Sequence, residues 1–432
     1  MDKAELNRLL LRARGLAAFR GVLDSNAGQD FLALLGLLAE ERPDPASVAG
    51  FVGCLWEDLA VSPDRLLSDA WQSHLASRIL EDENPFSLAA EKEALDPTIL
   101  EQARRDLRTL QALFNLGAEA LLRMIDETVP ALVGIWTPWR DPSFLPYASP
   151  RQALAEKLAK ADDWGVLAET LARHFAVNGA GTLGRYRAFR WEDRSLRPVS
   201  RPDPVRISDL ISYEREREPL VKNTERLLAG LPSHHALLYG LPGTGKSSTV
   251  KAIANEYVDK GLRLVELAKE NLKELPALLD ILRSRAPRFI VFIDDLSFEE
   301  NEVEYKSLKA LLEGSVEEPA ENVRLYATSN RRNLIRERFS ERDETDDVHA
   351  SDTMQEKLSL AARFGLRLTF PAPDQIRYLE IVAGLAEDRG LKVPPNELRD
   401  RALLWDRWHA GRSGRTARQF VDELEAELAE RS

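Results

Sequence analysis

The residues Gly240, Leu241, Pro242, Gly243, Thr244, Gly245, Lys246, Ser247 and Ser248 have the types and spacing of a loop that holds phosphates. Glycines let backbone amides converge on phosphate oxygens with no Cβ in the way, and a helix opening directly behind them favours an anion at its N-terminus. Lys246 would reach the β- and γ-phosphates, and Ser247 would offer a hydroxyl to Mg²⁺. Further along, the apolar run Phe289–Ile293 ends in Asp294 and Asp295. Such a run suits a parallel strand buried on both faces, and ligands in these sheets bind beyond the strand ends. Asp294 is read as the Mg²⁺ carboxylate, acting through water. Asp295 stands where an attacking water would be oriented, a task that Glu299 or Glu300 in the following loop could take instead. The run Tyr326-Ala327-Thr328-Ser329-Asn330 closes with an amide able to hydrogen-bond that water or the γ-phosphate. Together these residues describe an ATP site, with Mg²⁺ as its cofactor.

Positioning them takes alternating strands and helices, and from Val205 onward the pattern has that form. Strands are expected at Ala236–Tyr239, Leu262–Leu267, Phe289–Ile293, Arg324–Thr328 and Leu366–Phe370. Helices are expected at Ser247–Lys260, Leu275–Ser284, Glu304–Glu313 and Thr353–Arg363. The chain turns helical again after Pro371 and Pro373, as a small lid would. Residues 1 to about 180 instead keep helical apolar spacing, as in Phe31, Leu34, Leu35 and Leu38, punctuated by prolines. The expected fold is therefore an all-α N-terminal domain (1–180), a strand and proline-rich linker (181–204), an α/β P-loop domain with a parallel sheet (205–371) and a helical C-terminal lid (372–432).

The order of these motifs resembles that of the AAA+ superfamily, from about Val205 to the C-terminus. In that resemblance Asn330 is the sensor 1 residue, and Arg363, in Ala362-Arg363-Phe364-Gly365-Leu366, looks like the arginine finger of initiator and helicase-loader types. A finger acts on the ATP of a neighbouring subunit, which implies a homo-oligomer. The run Gly411 to Arg418 resembles a sensor 2 motif, with Arg415 and Arg418 both able to face the phosphates. Ile207–Glu214 resembles the segment beside adenine, although Ser212 replaces the usual glycine. More narrowly, Leu-Ile-Ser-Tyr-Glu, Gly-Thr-Gly-Lys-Ser-Ser and Asp-Asp-Leu-Ser-Phe-Glu look like a bacterial family of P-loop ATPases known only as a domain of unknown function. The resemblance implies an ATPase that remodels or loads a partner macromolecule, an unidentified protein engaged through the N-terminal domain. The alternative it leaves is a nucleotide-dependent switch or adaptor that hydrolyses slowly.

Composition narrows the partners. The chain has 432 residues, 44% hydrophobic and 30% charged, enough for more than one soluble core. A net charge of −12 argues against nucleic acid as the main partner. Arginines at 185–201 interleave with Tyr186, Phe189 and Trp191, which suits either a nucleic-acid surface or, as the acidic chain favours, a strand with solvated arginines. The lone Cys54 excludes an internal disulfide, and His234-His235 reads as a loop before a strand. The charged segment Arg331–Asp352 is either an insert or a contact for a neighbouring subunit. The start MDKAELNRLLLRARG lacks the apolar core of a signal peptide, and no run reaches the ~20 apolar residues of a membrane span. The expected location is the cytoplasm.

Overall fold

The computed structural model describes all residues except 62–64, 141–148, 298–307, 309–319, 331–360, 410 and 431–432. The chain divides into two compact units, one of Met1–Arg185 with Arg285–Pro287, the other of Tyr186–Ser284 with Arg288–Ser432.

The first unit is built from helices, with one isolated β-bridge, Asp69 to Arg140, among its described residues, and many of its helices begin where polar side chains can take over unpaired amides. Asp2 and Glu5 form a reciprocal capping box, and Ser25, Asp69, Asn84, Asp96 and Ser149 each accept an amide of the helix that follows. The core gathers Phe19, Phe31, Trp71, Phe86, Trp164 and Phe175, with Phe31 and Trp71 stacked at 3.6 Å between ring centres. Two carboxylates organise the loops. Asp106 accepts the amides of Ala17, Ala18 and Phe19 at 2.9, 2.7 and 3.0 Å. The buried Glu91 accepts from Ala180 and Ala286 amides and from the Arg285 guanidinium. Each pairing satisfies a charge that would be costly to bury alone.

The second unit is built on a seven-stranded sheet of β1 (Ala188–Glu192), β2 (Ser195–Pro198), β3 (Ala236–Gly240), β4 (Leu262–Glu266), β5 (Arg288–Ile293), β6 (Val323–Ser329) and β7 (Leu366–Phe370). Its order is β2-β1-β4-β5-β6-β3-β7, parallel except for the β1–β2 hairpin. The helices Lys246–Glu256 and Leu275–Arg283 make the crossovers into β4 and β5. Phe289–Ile293 is buried at every position, as a central strand covered on both faces must be. The helix Glu214–Leu228 precedes β3, and the helices Gln375–Asp388, Pro395–Trp408 and Gly414–Glu430 follow β7. The expected helices at 304–313 and 353–363 lie largely outside the described residues. No described helix is long and apolar enough to cross a membrane.

One expectation changes. The sheet begins before Val205, because β1 pairs in parallel with β4 and Phe189 and Trp191 are buried beneath it. Trp191 Nε1 donates to Glu274 at 2.8 Å. Phe189 and Trp191 are therefore core residues of a strand, the reading that the acidic chain favours, and Arg190 pairs with Glu266 at 3.1 Å.

The entry to β3 carries a titratable contact. His235 Nδ1 accepts the Leu325 amide of β6 at 3.0 Å, which fixes the neutral ring as an Nε2–H tautomer. Burial, then the neighbouring Arg324 charge and His234, push His235 down to about 4. Its folded value lies below the unfolded one, so the protonated form favours unfolding. Stability is intact above about pH 6.5 and is lost as pH falls toward 4, by on the order of 3 kcal/mol for this group. His235→Asn keeps an acceptor without titrating. Its melting temperature should fall less than the native chain's between pH 6.5 and 4, a comparison that scanning calorimetry makes directly.

Candidate functional site

The strand order dictates where the chemistry gathers. β6 lies between β5 and β3, so their carboxyl ends bring Asp294, Asn330 and the loop after Gly240 side by side. At Gly240 a side chain is impossible, since a Cβ would meet the Phe370 carbonyl of β7 at 2.1 Å. Gly243 and Gly245 take φ of +77° and +85°, the left-handed region that glycine enters without penalty. The loop turns on these residues, and the helix starting at Lys246 presents its free amides to the space above. Thr244 Oγ1 donates to the Leu241 carbonyl at 2.9 Å and Thr249 Oγ1 to the Gly245 carbonyl at 2.8 Å, stiffening the turn.

Lys246 is buried and points back into this turn. Its Nζ donates to the carbonyls of Gly240 and Leu241 at 2.8 and 2.9 Å and to Asn330 Oδ1 at 3.1 Å. Burial lowers its pKa, and the carboxylates of Asp294 and Asp295 oppose that shift. Ser247 Oγ donates to Asp294 Oδ1 at 2.6 Å. Asn330 Nδ2 donates to Asp295 Oδ1 at 2.7 Å, so the amide bridges the lysine and the second carboxylate. These contacts form a polar line from Lys246 through Asn330 to Asp295, with the Ser247–Asp294 pair beside it, across the ends of the helix, β5 and β6.

The line forms the floor of a cleft of about 590 Å³. Pro242 to Thr249, Asp294, Asp295 and Asn330 line one part of it. Leu210, Ile211 and Tyr213 supply an apolar wall, and Ile381 and Leu385 of the helix Gln375–Asp388 face it. Arg415 and Arg418 both line the cleft from the start of the last helix, where Gly414 N donates to the Gly243 carbonyl at 2.8 Å. The residue types fit a magnesium nucleotide. A glycine cradle with a buried cation suits phosphates, and the adjoining Ser247 hydroxyl and Asp294 carboxylate are hard oxygen donors of the kind Mg²⁺ takes alongside phosphate oxygens.

Among the remaining sequence candidates, Arg363 sits in the turn before β7 and is not one of the described residues lining the cleft. Glu299, Glu300 and the segment 331–352 lie outside the described residues. Ser212 and Tyr213 both adopt left-handed backbone, φ +62° and +65°, so position 212 has the conformation for which glycine is the usual choice. Arg217 and Thr328 are among the cleft residues not singled out from the sequence. Arg217 is buried, donates to the Ser212 carbonyl at 2.5 Å and has its pKa lowered by burial. Thr328 is buried between the two aspartates and Asn330. Strand alternation from Asn330 places Thr328 on the same side of β6, a signal that the sequence does contain.

Residues 184–428, more than half of the chain, match the family described as "Protein of unknown function (DUF815)". Replication factor C large subunit of Ignicoccus hospitalis is 43% identical over 56 residues, 12% of this chain and 12% of that protein. The 26S proteasome regulatory subunit 6B homolog of Encephalitozoon cuniculi is 28% identical over 161 residues, 33% of this chain and 36% of that protein. The chain thus spans only about an eighth to a third of the length of these two relatives. Among solved structures, the Thermotoga maritima RuvB Holliday junction branch migration motor aligns with a TM-score of 0.37 and 17% identity, over 52% of this chain and 66% of that one. The chain belongs to the DUF815 family.

Proposed function

We propose that the protein is a Mg²⁺-dependent ATPase that couples ATP binding and hydrolysis to the remodelling or loading of a partner macromolecule, selected by the helical unit. One observation carries the chemistry: Lys246, Asn330 and Asp295 form a hydrogen-bonded line beside the Ser247–Asp294 pair, within one cleft.

In this reading the amides that open the helix at Lys246 bind the phosphates, and Lys246 turns from the loop carbonyls toward the β- and γ-oxygens. Ser247 and Asp294 would hold Mg²⁺, which neutralises charge on the transferred phosphoryl group. Asp295 orients the attacking water, and Asn330 holds the Asp295 carboxylate in place. Leu210, Ile211 and Tyr213 take the base against their apolar wall. Arg415 and Arg418 approach the phosphates from the last helix. Arg363 completes the ATP site of a neighbouring copy, which makes the active form a homo-oligomer with head-to-tail contacts.

A second reading has Asp295 in its favour. It is one methylene shorter than the glutamate usual at this position and is already tied to Asn330. Hydrolysis would then be slow, and the ATP-bound state itself would be the signal to a partner.

Two experiments test the proposal. Lys246→Ala should weaken ATP binding by on the order of 10²-fold, whereas Asp295→Asn should bind ATP within about threefold of the native chain and hydrolyse it about 10²-fold more slowly. Nucleotide titration and phosphate release measure the two effects separately. Equal, negligible turnover in native and Asp295→Asn proteins would favour the switch. For assembly, Arg363→Ala should bind ATP and lose turnover by roughly 10³-fold, and mixing it with Lys246→Ala should restore part of the activity. Mixed oligomers, verified by mass, that stay inactive would remove Arg363 from the neighbour's site.

A further inference from the structure

Thr328 is 1% exposed and lies two residues before Asn330 on β6. Its hydroxyl donates a short hydrogen bond to Asp294 Oδ1 and accepts the Asp295 amide at 2.9 Å. Its carbonyl accepts the Leu296 amide at 2.7 Å. One residue of β6 therefore grips three successive residues beyond the end of β5. Asp295 depends on such a grip, because its φ of +51° is a left-handed conformation that a non-glycine side chain adopts only when its surroundings enforce it.

The chemistry of the side chain is specific. A hydroxyl has one proton, spent here on Asp294, and lone pairs, one of which receives the Asp295 amide. Serine can do both, while valine, of the same shape, can do neither. Ser247 also donates to Asp294 Oδ1, at 2.6 Å. Of these two hydroxyls, Ser247 is the one that Mg²⁺ would recruit, which would leave Thr328 as the contact that keeps the carboxylate oriented.

We propose that Thr328 is a positioning residue that sets Asp294 for the divalent cation and Asp295 for the attacking water. This rests on the reading of the cleft as a site of magnesium-nucleotide hydrolysis. Neighbours that orient metal ligands typically change metal affinity or activity by 10- to 100-fold when removed.

The full chain tests it through Thr328→Val and Thr328→Ser. A fluorescent ATP analogue is titrated across a Mg²⁺ series, and kcat and KM for ATP are measured in parallel. Thr328→Val should need about tenfold more Mg²⁺ for half-maximal strengthening of nucleotide binding, with kcat down by 10- to 100-fold and KM within about threefold. Thr328→Ser should stay within about threefold of the native chain on every measure. If circular dichroism shows that the valine variant is unfolded, Thr328→Ala, which cannot overpack the strand, carries the same expectation. A folded variant without the hydroxyl that matches the native Mg²⁺ response and kcat overturns the proposal. So does a serine variant that falls as far as valine. A native chain with no Mg²⁺-dependent nucleotide binding would overturn the reading of the cleft itself, before any variant is compared.

Discussion

Parallel pairing of β6 between β5 and β3 is the constraint on which the cleft depends. Ile293 pairs with Ala327 and Tyr239 with Ser329, so the strands run out at nearly the same level. That register puts the loop after Gly240, the two aspartates and Asn330 within hydrogen-bonding reach. A slip of one residue in β6 would turn Thr328 and Asn330 to the opposite face of the sheet. The register is held by burial, since Leu325, Tyr326 and Ala327 are fully enclosed, and by the contact of Tyr326 with Asn223 and Thr224.

Electrostatics then concentrate at one edge. The chain places a buried cation, two carboxylates and a row of unpaired helix amides in the same small space, an arrangement with no role in packing a core. Lys246 loses hydration there and is compensated by three oxygen acceptors. Such a line of partners can be exchanged for phosphate oxygens with little cost in unsatisfied groups, which is the requirement for a loop that must bind and release a nucleotide. The apolar wall of Leu210, Ile211, Ile381 and Leu385 sets the opposite character on the other side of the cleft.

The fold of the P-loop unit was legible wherever a short motif carried its own physics. Gly240, Gly243 and Gly245 need their conformations locally, and Phe289–Ile293 announces a doubly buried strand by composition alone. The β1–β2 hairpin was harder to read. The five residues of β1 include Arg190 and Glu192, and its partner β4 lies far along the chain, so pairing rests on a contact that local pattern cannot disclose. Arg217 and Thr328 escaped notice for a related reason. Arginine on a charged helix and threonine in a strand are ordinary locally, and they acquire meaning only when the sheet sets them against Ser212 and the two aspartates. Ser212 illustrates the opposite case, a residue at which the expected glycine is missing while the left-handed backbone persists.

The central claim is that Ser247 and Asp294 form a divalent-cation site beside a nucleotide cradled by the loop after Gly240. Crystals of the full chain grown with ADP and Mn²⁺, with diffraction recorded at the manganese edge, test it most directly. The account predicts an anomalous peak between the Ser247 hydroxyl and the Asp294 carboxylate, next to diphosphate density over Gly243–Ser247. Nucleotide bound elsewhere, or manganese bound away from both residues with the diphosphate in the cleft, would contradict it.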